Sequence, residues 1–132
     1  MKFITTLVVT ALALAAPALA HHSFAMFDSE HQIRLQGEVT EFIWQNPHVY
    51  IHLNAPDSKG KMREWTIECA NPGILNRTGW KFNMIKKGDP ITIVVAPLRT
   101  GEAGALLKEI KLADGRKFGN GGPAGPANIP ID

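Results

Sequence analysis

Two adjacent histidines, His21 and His22, directly follow Ala18-Leu19-Ala20, the small-residue pattern at which an export signal is cut. A cut after Ala20 makes His21 a chain terminus, with a free amine beside its imidazole. Those two nitrogens close a chelate ring on one metal ion, and a second imidazole completes a histidine brace. Tetragonal N/O sites of this kind favour Cu(II). The amine has an ordinary pKa of about 7.7–8.0, so copper displaces its proton at neutral pH. A cut one residue earlier gives Ala20-His21-His22, whose third-position histidine binds Cu(II) together with the amine and two backbone amides. Either product is a copper chelate. The bland alternative is that His-His is merely a solvated chain start.

His48 is the preferred residue to complete such a site, because it stands beside Pro47 at a strand start, where a barrel mouth is expected. The expected metal set is therefore His21, His22 and His48. His52 shares a strand face with His48, but four residues of strand separate them by about 13 Å. It reads as a surface or half-buried side chain. His31 reads as a loop histidine. Met26 is a soft axial ligand only if the terminus folds back, and otherwise packing. Cys69 alternates in phase with Trp65 and Ile67, which favours a buried core thiol. A Cu(I) role would need it exposed beside a histidine.

The elements that must position these residues are mostly strands. Residues 1–20 read as a signal peptide: Lys2 is basic, Phe3 to Ala16 is apolar apart from threonines, and Pro17 and small residues follow. A spanning helix needs about 20 apolar residues, so no stable membrane anchor is expected after cleavage. Ile33, Leu35, Gly37 and Val39 alternate with polar residues, and the apolar phase then flips to Phe42 and Trp44. A β-bulge near Thr40-Glu41 explains the flip, as does a strand curling around a small barrel. Val49, Ile51 and Leu53 form a second inner face, and Trp65, Ile67 and Cys69 a third. Asn71 caps a short helix with Pro72 at its first position and Gly79 at its end. Ile91 to Ala96 is nearly all apolar, which predicts a buried central strand. Leu106 to Leu112 is the last strand.

Three strands, a helix and two strands predict a small five-stranded OB-like barrel over residues 21–118. Half of the residues from Gly119 to Asp132 are Gly or Pro, which predicts a disordered tail over 119–132.

The opening His21-His22-Ser23-Phe24, Asn46-Pro47-His48 and Gly88-Asp89-Pro90 resemble a family of short exported bacterial proteins of unknown function. The resemblance covers most of residues 21–118. It implies a secreted small β-domain and assigns no reaction or site residue.

Composition narrows the function classes. With 14 Lys and Arg against 12 Asp and Glu, a strongly basic nucleic-acid footprint is missing, and no nucleic acid is expected as partner. One cysteine excludes an internal disulfide framework. There is no H-E-x-x-H, CxxC pair or phosphate loop, and Glu38, Glu41, Glu64 and Glu68 read as solvated face charges. Three classes remain. The first is a non-enzymatic periplasmic or secreted binding module, with copper as its most concrete ligand. The second is an adaptor for a larger envelope protein, docking through Tyr50 and Phe24–Phe27. The third is a copper-dependent redox enzyme.

Overall fold

The structure is a computed structural model and describes residues 24–132. The signal segment 1–20 and the pair His21-His22 lie outside the described residues. Strands β1 (Ile33–Ile43), β2 (Tyr50–Pro56) and β3 (Met62–Glu68) are followed by helix α1 (Pro72–Arg77). Then come β4 (Pro90–Pro97), β5 (Gly104–Lys111) and the short β6 (Lys117–Gly119). The sheet order is β3-β2-β1-β4-β5-β6, and a parallel β3–β5 pairing closes the first five strands into a barrel. Strand order and the helix between β3 and β4 make this an OB-type barrel. β6 is an addition at its edge.

The inner face follows the period-two pattern. Val39, Val49, Ile51, Leu53, Ile67, Ile93 and Leu107 are fully enclosed. The β1 bulge occurs where the apolar phase flips, as a register shift against β2 between Val39 and Glu41. Past it, Phe42 and Trp44 pack on the core and on each other, edge to face at 5.9 Å. Strand β1 pairs with β4 over its first half and with β2 over its second. At the handover Gly37 is required, because a Cβ there would lie 2.1 Å from the Asn54 carbonyl oxygen.

β4 is apolar on both faces because both are covered. Its outer side, at Ala96, packs with Phe27, Leu106 and Ala124 in a second small core. β5 carries a bulge of its own: Val94 pairs with Glu109 and Val95 with Leu107, so Lys108 has no opposite residue. That extra residue explains why the apolar pattern of β5 breaks phase. Helix α1 begins as expected, with the Asn71 side chain accepting from the Ile74 amide at 2.8 Å.

The tail departs from the sequence expectation. Residues 119–132 are not disordered but wrap back onto the barrel. Asn120 is buried, and its side chain accepts from the Ala70 amide at 2.6 Å and donates to the Leu107 carbonyl at 2.9 Å. The Asn128 amide donates to Gln32 at 2.8 Å, and Ile131 is only 3% exposed. The Lys108 ammonium donates to the Ala124 carbonyl, and burial lowers its pKa. Gly- and Pro-rich chain has no periodicity to read, yet backbone hydrogen bonds and two or three anchored side chains suffice to order it.

No helix among the described residues is long and apolar enough to cross a membrane.

Two stability predictions follow from the packing. Gly37→Ala forces β2 away from β1 and should destabilise the barrel by about 3 kcal/mol in urea unfolding. Asn120→Ala strips a buried amide and a buried carbonyl of their partner and should cost about 2 kcal/mol. A change under about 0.5 kcal/mol in the second variant would show that Asn120 does not hold the tail.

Candidate functional site

A tight hairpin turn sets the site. The Asp57 carboxylate accepts from the Lys59 and Lys61 amides at 2.9 and 3.0 Å. Those amides, led by that of Lys59, hold its pKa below the usual carboxylate range. The turn fixes β2 against β3 so that Pro56 faces Met62, Asn54 faces Glu64 and Tyr50 faces Glu68. Val49 continues the pairing with Ala70 and Cys69 through backbone hydrogen bonds. Period two then places His48, Tyr50 and Glu68 on one outer face.

His48 Nε2 lies 3.6 Å from Glu68 Oε1, and its Nδ1 lies 3.1 Å from the Cys69 carbonyl oxygen. A carbonyl only accepts, so Nδ1 carries a proton. Nε2 is the nitrogen directed at the carboxylate. Such an arrangement serves an imidazolium–carboxylate pair, or a cation held between a neutral Nε2 and Glu68. An Nδ1–H bond to a backbone carbonyl is also what orients metal-binding histidines. The Tyr50 ring stands edge-on to His48 at 6.5 Å. Burial, with the nearby Glu68 and Cys69, raises the Tyr50 pKa, so its phenol stays protonated at neutral pH.

Beside His48 and Glu68 opens a cavity of about 220 Å³. Its walls are apolar, from Phe24, Ile74, Leu106 and Ala124, with Asn120 and Gly121 of the tail. The N-terminal turn Phe24–Met26 reaches this mouth because Arg99 grips it. The Arg99 amide donates to the Met26 carbonyl and its Nε to the Ala25 carbonyl, both at 3.0 Å. Arg99 also lies 3.6 Å from the Asp28 carboxylate, and Phe27 bridges to Leu98. Met26 thereby lines a second cavity of about 150 Å³ with Tyr50, Thr66 and Glu68. Glu68 stands between the two cavities.

Of the residues singled out from sequence, His48 lines the larger cavity, while His21 and His22 lie outside the described residues. His52 is not brought to His48; its Nδ1 lies 3.4 Å from Thr66 Oγ1 and 4.0 Å from Glu64 Oε1. His31 pairs with Asp28 at 3.0 Å on exposed chain. Cys69 is 1% exposed, and burial pushes its thiol pKa far up, which withholds the thiolate that metal binding or attack requires. Among the described residues no three His, Cys, Asp or Glu side chains converge on one point as a metal cage. Glu68 is the residue that sequence reasoning missed. Its signal lay in the hairpin: once the five-residue turn fixes the register, Glu68 falls diagonal to His48.

A protein family described as of unknown function, DUF6152, matches residues 9–108. The chain belongs to that family. The DUF6152 match ends within β5, so β6 and the returning tail lie beyond it. No curated protein matches the chain in sequence. Two crystal structures of the mitochondrial single-stranded DNA binding protein Rim1 of S. cerevisiae are similar in fold, each at 16% identity. Their TM-scores are 0.47 and 0.46, covering 63% and 62% of this chain and 93% and 92% of theirs.

Two predictions test this geometry. Arg99→Ala should leave the barrel folded but release the turn, read as faster hydrogen exchange at the Phe27 and Asp28 amides. Unchanged exchange there would mean that Arg99 does not hold the segment. Cys69 should resist a thiol reagent in the folded protein and react fully in denaturant; rapid labelling of native protein would contradict its burial.

Proposed function

We propose that this chain is an exported, periplasmic or secreted binding module that takes up copper at the barrel mouth. The observation that carries the reading is that Phe24 lines the same cavity as His48 and Glu68. His21 stands three residues before Phe24, a stretch of chain that spans at most about 10 Å. Its amine and imidazole, the His48 Nε2 and a Glu68 oxygen would supply three nitrogens and one oxygen, donor types suited to Cu(II). His22 supplies the imidazole instead if the cut falls before Ala20. Signal cleavage is what frees the chelating amine. The site therefore exists only in the processed protein, and its affinity falls as pH drops, because protons compete for the amine and imidazoles.

Nucleic acid is not part of this reading. The outer face of β1, β2 and β3 carries Glu38, Glu41, Glu64 and Glu68, charges that repel phosphate. A second reading, an adaptor for a larger envelope protein, is favoured by one observation. Phe24 and Met26 are 48% and 42% exposed, and Met26 lines the smaller cavity with Tyr50, an apolar contribution suited to a partner.

The test is a Cu(II) titration of processed protein, its N-terminus confirmed by mass. Comparison forms are an N-terminally acetylated protein, His48→Ala and Glu68→Gln. One-to-one binding should weaken about tenfold or more on acetylation and in His48→Ala, roughly 1.4 kcal/mol or more. Loss on acetylation alone leaves a terminal chelate without His48. Weak binding, equal in all forms, overturns the copper reading and leaves the adaptor.

A further inference from the structure

We propose that the larger cavity is a binding site for a small organic amine, its apolar body lying between Phe24, Ile74 and Leu106 and its ammonium at Glu68. The proposal goes beyond the copper reading and does not depend on it, because described residues alone form the cavity. A metal ion held by His48 and Glu68 would use only the rim. Most of the 220 Å³ behind it faces apolar side chains, which offer an ion nothing.

Volume and walls suit a ring. A cavity of roughly 150 Å³ lined by leucine, isoleucine and phenylalanine takes up benzene. This one, at about 220 Å³, has room for a benzene ring with a short chain attached. Its walls come from three separate parts of the chain: Phe24 of the N-terminal turn, Ile74 of α1, and Gly121 and Ala124 of the tail. Gly121, at φ +68°, brings the tail close to α1, where a Cβ would lie 2.9 Å from an Ile74 methyl.

The polar side chains of the lining select the ligand's other end. Asn71 caps α1, Asn120 binds the Ala70 amide and the Leu107 carbonyl, and burial keeps Cys69 a thiol. Recognition of charge therefore falls to Glu68 and His48, 3.6 Å apart at the rim. No lysine or arginine is among the lining residues, so an anionic ligand would meet the Glu68 carboxylate with no permanent cation to offset it. An ammonium is matched. Its N–H groups donate to the carboxylate and to Nε2 of a neutral His48, whose proton is on Nδ1. The Glu68 side chain is only 13% exposed, and a charge-assisted bond there is stronger than one in open water.

The experiment is a calorimetric titration of phenethylamine into processed protein stripped of metal with a chelator, so that its outcome is separate from that of the copper titration. Phenethyl alcohol keeps the shape without the charge, and phenylacetate reverses the charge. The comparison proteins are Glu68→Gln and Ala124→Leu, the latter filling the cavity from its wall. The amine should bind one-to-one and about tenfold or more tightly than the alcohol. Glu68→Gln should abolish that preference and leave the alcohol's affinity unchanged. Ala124→Leu should weaken amine and alcohol alike by about tenfold. Equal affinity for amine and alcohol in the wild type overturns the proposal, as does tighter binding of phenylacetate or an amine affinity untouched by Glu68→Gln. An amine that binds folded Ala124→Leu as tightly as wild type sits elsewhere, which overturns the placement. Binding of none of the three probes overturns the cavity as a site and leaves the copper reading standing.

Discussion

The molecule depends on the closure of β3 onto β5. Thr66–Glu68 meets Gly104–Leu106 in parallel, and the Thr66 amide reaches the Ala103 carbonyl at 3.0 Å. At the start of β5, a Cβ on Gly104 would sit 2.5 Å from the end of the Leu98 side chain, which would have to turn away, and 3.8 Å from the Thr66 carbonyl oxygen of β3, an ordinary contact. Only three residue pairs make the seam, so it is short and its end gapes. That gap is the mouth: Glu68 and Leu106, the last pair of the closure, both line the larger cavity.

Both chain ends added to the bare barrel serve this seam. The N-terminal segment crosses it through Phe27 and Leu98, and the tail covers it through Ala124 and Asn120. Both additions pack on the outer face of β4 and β5, which explains why Val94 and Ala96 are as buried as the inward residues. Chain ends that would otherwise fray become the walls of a cavity. Their order and the shape of the mouth are therefore one property.

Side-chain periodicity made the barrel legible in the sequence. Val49-Ile51-Leu53 and Trp65-Ile67-Cys69 alternate because each strand has one wet face, and the phase flip at Thr40-Glu41 marked a real bulge. The capped helix was equally readable, since Asn71 and Pro72 act locally. His48 was legible as a strand-start residue at a mouth. Glu68 was not, because a carboxylate on a strand has the same local signature whether solvated or paired, and only register tells them apart. The tail was illegible for a related reason. Asn120 holds it through partners 50 and 13 residues away, and no local pattern encodes contacts of that range. Lys108 broke the β5 pattern because its bulge is set by pairing with β4, not by its own neighbours.

The distribution of polar groups decides where chemistry can occur. The barrel interior is filled by aliphatic side chains and by two tryptophans whose indole nitrogens donate to the Ala55 and Gly119 carbonyls. Such an interior holds no charge and no vacant donor for a ligand, and close packing leaves no room for one. A small OB barrel of this kind can act only at its rim or outer face. The outer face carries glutamates dispersed over three strands, of which Glu64 lies 4.0 Å from His52. Among the described residues, only at the rim does a histidine with a fixed tautomer meet a carboxylate whose side chain is 13% exposed, beside an apolar cavity. Lower exposure strengthens their interaction relative to a surface pair. Whatever occupies the mouth is therefore recognised by a nitrogen and a carboxylate held by the same β2–β3 register that builds the core.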